Sequence, residues 1–130
     1  MMQELIMIKK ARINVILPEN ISKEIRQRML KDNYSLREKS RWISEAIEDF
    51  LKLNDYRNFV EMANLVSDLT NTETIHITSD LVDKLEYAVL QVRKEHPILE
   101  GVKSLIVRAS VIRRLVLLST PKQSGDRTRE

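Results

Sequence analysis

Polar and apolar residues alternate through Arg12-Ile13-Asn14-Val15-Ile16-Leu17-Pro18, and the alternation returns at Thr72-Glu73-Thr74-Ile75-His76-Ile77-Thr78. A period of two predicts a strand, with Ile13, Val15 and Leu17 on one face and Arg12, Asn14 and Ile16 on the other. Neither strand is stable alone, because its apolar face needs a cover and its backbone edge needs a partner. The two are therefore expected to pair as a two-stranded ribbon, a shape that fits the DNA major groove.

After each strand the period lengthens to that of a helix. Past Pro18 the inner stripe is Ile21, Ile25, Met29 and Leu30, ending at Asp32-Asn33-Tyr34. Ser35-Leu36-Arg37-Glu38 fits a capping box, and the helix behind it carries Trp42, Ile43, Ala46, Ile47, Phe50 and Leu51 inward. Phe59, Met62, Ala63, Val66 and Leu69 predict either an extension of that helix or a separate connecting one. Thr70-Asn71-Thr72 reads as the break before the second strand. Ser79-Asp80 starts a helix with Leu81, Leu85, Ala88, Val89 and Val92 inward, stopped near Pro97. Beyond Gly101 comes a last helix with Ile106, Val107, Val111, Leu115 and Leu118. The stretch from Ser119 to Glu130 lacks apolar residues and is expected to form a flexible tail.

The order strand, helix, loop, helix thus occurs twice. Matching Leu17-Pro18 with Ile77-Thr78 aligns Ile21 with Leu81 and Ile25 with Leu85. Matching Lys39-Ser40 with Lys103-Ser104 aligns Trp42 with Ile106, Ile43 with Val107, Ile47 with Val111 and Leu51 with Leu115.

Composition narrows the class. Over 130 residues, 42% are hydrophobic and 32% charged, which suits a globular fold, and two glycines with 5% aromatics favour helices over a sandwich or barrel. Cysteine is absent, so there is no disulfide framework and no thiolate-ligated zinc, in keeping with a reducing, cytoplasmic setting. No apolar run reaches membrane-spanning length, and the opening residues do not follow signal-peptide order. Net charge is +3, all of it in residues 1–60 (12 Lys+Arg against 9 Asp+Glu), with 10 against 10 in residues 61–130. That balance neither demands nor excludes nucleic acid. His76 and His96, the two histidines, sit in different elements, so a metal site is not expected, nor a cofactor or small-molecule ligand. Glu45, Glu48 and Asp49 are helix-surface acids by spacing, and no catalytic constellation emerges. An enzyme is not expected.

The segments Arg12–Pro18 and Lys39-Ser-Arg-Trp-Ile-Ser-Glu-Ala-Ile47 resemble the ribbon-helix-helix family of DNA-binding regulators, the Arc, MetJ and CopG type. The resemblance covers residues 9–53 well and 72–118 more loosely, and two copies in one chain look like the tandem members found among plasmids and archaeal viruses. It implies a mainly α fold with a two-stranded antiparallel β-ribbon, in which two units form an internal pseudo-dimer. The expected division is residues 1–53, a connecting segment 54–71, residues 72–118 and the tail 119–130. A homodimer of the tandem chain, or a higher assembly on DNA, stays open.

The resemblance implies a sequence-specific regulator of transcription, a repressor or an activator, whose partner is double-stranded DNA at an operator or promoter. Outward ribbon residues would read bases: Arg12, Asn14 and Ile16 from one strand, Thr74 and His76 from the other, with Thr72 as a further candidate beside these five. Arginine suits guanine, asparagine suits adenine, and an exposed isoleucine or threonine methyl suits thymine. Phosphates would be held at the starts of the second helices by Lys39, Ser40, Lys103 and Ser104, with Arg37 helping and Arg41, Lys9 and Lys10 nearby. Arg108, Arg113 and Arg114 are expected to face solvent. Unlike halves should prefer an asymmetric site. Two alternatives remain: an antitoxin or plasmid-partition protein that also grips a partner through the Phe59, Met62 and Val66 region, and a helical interaction or virion protein that does not bind DNA.

Overall fold

In a computed structural model that describes residues 10–64 and 68–119, strand β1 (Lys10–Pro18) lies antiparallel to strand β2 (Leu69–Thr78). The register runs from Lys10 opposite Thr78, through Asn14 opposite Thr74, to Leu17 opposite Asn71, with an irregularity before Pro18 meets Leu69. The pair is the sheet of the described fold, and the other regular elements there are helices. β2 begins at Leu69, earlier than the expected break at Thr70-Asn71-Thr72. The paired strand takes up those residues because β1 offers partners as far as Pro18.

Val15, Leu17, Ile75 and Ile77 are buried on the inner face of the ribbon. Each side chain of this size removed from water stabilises the fold by about 1.5–3 kcal/mol. Helix α1 (Glu19–Lys31) follows β1 directly and buries Ile25 and Met29, whereas Leu30, expected inward, is exposed. α1 ends in a left-handed Asn33, with the Tyr34 amide bonded to the Met29 carbonyl at 2.8 Å. That closes the helix in the manner of a Schellman motif. A 3₁₀ turn (Leu36–Glu38) leads into α2 (Lys39–Leu51). There the Glu38 carboxylate accepts the Ser35 amide at 2.8 Å, while the Glu38 amide goes to the Ser35 carbonyl. The expected capping box is thus present at Ser35 and Glu38.

A short helix, α3 (Tyr56–Ala63), follows as a separate element. It buries Tyr56, Val60 and Ala63 and leaves Phe59 and Met62 exposed, contrary to the inward placement expected of them. Val66, Lys9 and the tail beyond Ser119 lie outside the described residues. Helix α4 (Ser79–Glu95) starts behind Thr78, whose hydroxyl accepts the Leu81 amide at 3.2 Å. Gly101, at φ 62°, then turns the chain into α5 (Val102–Ser119). Its residues 105–111 are buried on every side, as a helix surrounded by others must be. It packs against α1, α2, α3, α4 and β1.

Arginines on so central a helix need internal acceptors. Arg114, expected in solvent, donates to the Trp42 carbonyl at 2.6 Å and to Glu45 at 3.3 Å, and its guanidinium lies 4.7 Å from the centre of the Trp42 ring. Tyr34 also donates to Glu45, and Arg41 bridges Glu45 and Glu38. The network clasps the α1–α2 turn to α5. Burial alone would raise the Glu45 pKa, but the Tyr34 hydroxyl and the two guanidiniums outweigh it, and the net direction is downward from the ordinary 4.5.

Two outcomes follow for stability. Arg114→Ala should cost about 1.5–3 kcal/mol in denaturant unfolding; a change below half a kcal/mol would show that the clasp carries little. A carboxylate held low stabilises the fold above its unfolded pKa, and that contribution is lost as pH falls through the lower folded value. Acid unfolding should therefore lose part of its pH dependence below about 4.5 in Glu45→Gln.

Candidate nucleic-acid interface

Alternation fixes which side chains leave the ribbon outward. Lys10, Arg12, Asn14 and Ile16 from β1, and Thr72, Thr74 and His76 from β2, are all exposed on one face. Cross-strand pairing sets Arg12 opposite His76, Asn14 opposite Thr74, and Ile16 opposite Thr72. At the centre the Thr74 hydroxyl donates to Asn14 Oδ1 at 2.7 Å, leaving the Asn14 amide hydrogens free to donate elsewhere. Ile16 is 44% exposed on this polar row. These positions carry two cations and no carboxylate, and neither cation makes an ion pair among the described residues. All five residues expected to read bases therefore share one surface.

The ribbon's two outer edges are covered by helices, which relieves the exposed hydrogen-bonding rows of a two-stranded sheet. Ser40, in the first turn of α2, accepts the His76 backbone amide at 3.0 Å. On the other edge, Arg108 of α5 donates Nε and Nη2 to the Ile16 carbonyl at 3.3 and 3.2 Å. Arg108 is only 6% exposed, not solvent-facing as expected, and burial lowers its pKa from the ordinary guanidinium value.

The cations expected to hold phosphate are in unequal states. Arg37 is exposed in the 3₁₀ turn and unpaired among the described residues. Lys39 reaches beneath the ribbon to Glu73, Nζ to Oε1 at 2.6 Å, with the Glu73 side chain 8% exposed. Glu73 occupies an inward strand position that the matching strand fills with Ile13, and the pair consumes most of the charge that Lys39 would offer. Lys103 pairs with Glu86 at 2.9 Å on the surface, where such a pair is weak and readily exchanged. Ser104 is half-buried in the first turn of α5. Arg41 is held between Glu38 and Glu45 and lies over Tyr34.

Away from the ribbon, α3 and α5 enclose an apolar groove of about 360 Å³ lined by Phe59, Met62, Ala109, Ile112 and Leu117. Met62 is 62% exposed there. Among the described residues no cluster of three or more His, Asp or Glu side chains is placed to hold a metal ion, and no helix is long and apolar enough to cross a membrane. Comparison with protein-family models, curated proteins and solved structures gave no match.

The buried ion pair can be tested by itself. Lys39→Ala leaves the Glu73 carboxylate without its partner and should destabilise the protein by about 1–3 kcal/mol, a range that allows for the part-exposed lysine. Replacing Glu73 as well, with the isoleucine of the matching position, should recover most of that loss in chemical denaturation. A double variant weaker than Lys39→Ala would contradict the pairing.

Proposed function

We propose that this chain is a sequence-specific DNA-binding regulator of transcription, built from two ribbon-helix-helix units in tandem that fold on each other as an internal pseudo-dimer. The ribbon enters the major groove, and the starts of α2 and α5 anchor flanking phosphates. Host cytoplasm is its expected compartment.

One observation carries the reading: two distant segments combine into a single outward row of Lys10, Arg12, Asn14, Ile16, Thr72, Thr74 and His76, with two cations and no carboxylate. Such a row has the hydrogen-bonding groups and width that a major groove accepts. The two-unit arrangement is supported by the register. Matching Leu17 with Ile77 makes Thr74 the counterpart of Asn14, and the ribbon sets those two opposite each other. His76, the counterpart of Ile16, faces Arg12, and Thr72, the counterpart of Arg12, faces Ile16. Pairing about a local twofold requires this pattern.

A second reading adds a protein partner, on the strength of the exposed apolar groove between α3 and α5. A partner retained by the native chain and lost with Met62→Lys, at unchanged DNA affinity, would support it.

Gel shifts on DNA upstream of the coding region, at several salt concentrations, test DNA binding against a purely structural role; no retardation at low salt removes the proposal. Arg12→Ala should lower specific affinity by about 1–3 kcal/mol and relax one position of the site. Equal loss on every sequence would deny it a base-reading role. Arg37→Ala should weaken binding uniformly and make the salt slope shallower by about one, with a smaller change for Lys39→Ala because Glu73 already holds that charge.

A further inference from the structure

We infer that the ribbon reads its site with a fixed polarity: the Arg12–His76 end takes guanine, and the Ile16–Thr72 end takes thymine through its methyl group. The inference rests on the DNA reading above and adds to it a direction and a base class at each end.

Two identical strands paired about a twofold would present the same side chains at both ends of the ribbon. Here antiparallel pairing sorts unlike residues. Arg12 and His76 are opposite each other at one end, and Ile16 and Thr72 at the other, with Asn14 and Thr74 between. The first pair supplies a guanidinium fork and an imidazole N–H, groups that match the N7 and O6 acceptors of guanine. The second pair supplies a half-exposed isoleucine and a threonine methyl, which match the C5 methyl of thymine. The central Asn14 keeps its amide donors free, with Oδ1 oriented by Thr74.

Charge follows the same direction. Lys10 lies outward beyond Arg12, and the start of α2, preceded by Arg37 with no ion pair among the described residues, is tied to the His76 amide through Ser40. At the opposite end the guanidinium bonded to the ribbon, Arg108, is buried and committed to the Ile16 carbonyl. Among the ribbon's own outward residues, cations and hydrogen-bond donors therefore coincide at one end, and apolar contact is left to the other. A uniform surface would bind a site in either orientation; this one distinguishes them.

The test uses the full chain and a random duplex library, followed by the selected site with single-atom changes in its bases. One bound chain should select a non-palindromic site with guanine toward one side and thymine toward the other. Replacing that guanine by 7-deazaguanine should weaken binding about tenfold, and replacing the thymine by uracil about fourfold. Arg12→Ala should abolish the first effect and keep the second, and Ile16→Ala the reverse. The modified bases are read with the native protein, so a variant that fails to fold leaves the result intact. A palindromic site for one bound chain, or both substitutions acting on the same base, overturns the polarity. Binding without enrichment of any sequence overturns it too and leaves only backbone attraction, whereas no binding to any duplex removes the DNA reading itself.

Discussion

Pairing of β1 with β2 is the constraint on which the remaining structure depends. A strand of nine residues has one apolar face and two hydrogen-bonding edges, and in this fold each strand has a single strand partner, far away in the sequence. The entropy of closing so long a loop rises only slowly with its length. Burial of Val15, Leu17, Ile75 and Ile77 against the helices offsets that cost. The outer edges are then finished by side chains rather than strands, Ser40 on one and Arg108 on the other. This arrangement frees one whole face of the ribbon for solvent or for a partner.

The helices serve that pairing by surrounding α5, which is buried along most of its first half. Its arginines act as internal fasteners: Arg108 holds the ribbon, and Arg114 holds the α1–α2 turn. Buried guanidiniums of this kind are tolerated because backbone carbonyls and Glu45 satisfy their donors. They also help to explain why the +3 net charge is a poor guide to the field a partner would meet. Several cations face inward or are matched by carboxylates, and on and beside the outward face of the ribbon Lys10, Arg12 and Arg37 make no ion pair among the described residues.

The local elements were legible in the sequence because each is set by spacing within a few residues. Alternation around Val15 and Ile75 marked both strands, and the Trp42, Ile43, Ala46, Ile47 and Phe50 stripe marked α2. Asn33 marked the end of α1. The candidate face was legible too, since parity alone puts Arg12, Asn14 and Ile16 on one side. What escaped depends on partners distant in the chain. Nothing local tells Lys39 that a carboxylate waits under the ribbon, or tells Arg114 that Trp42 and Glu45 are within reach. Two signals were available all the same: Glu73 shares its parity with the inward Ile75 and Ile77, and the all-round apolar character of residues 105–111 places Arg108 in the interior. Phe59 and Met62 lay at core spacing, but α3 is only eight residues long and one stripe of it suffices to pack.

If the ribbon is the DNA-reading element, both strands present a common face to the duplex. The most direct measurement is an NMR titration of the labelled chain with duplex DNA, following backbone and side-chain signals along residues 10–18 and 69–78. The largest changes should fall on the outward alternates of both strands together, with Val15, Ile75 and Ile77 moving little. Changes confined to one strand, or concentrated on the α3–α5 groove while the ribbon stays silent, would contradict that reading.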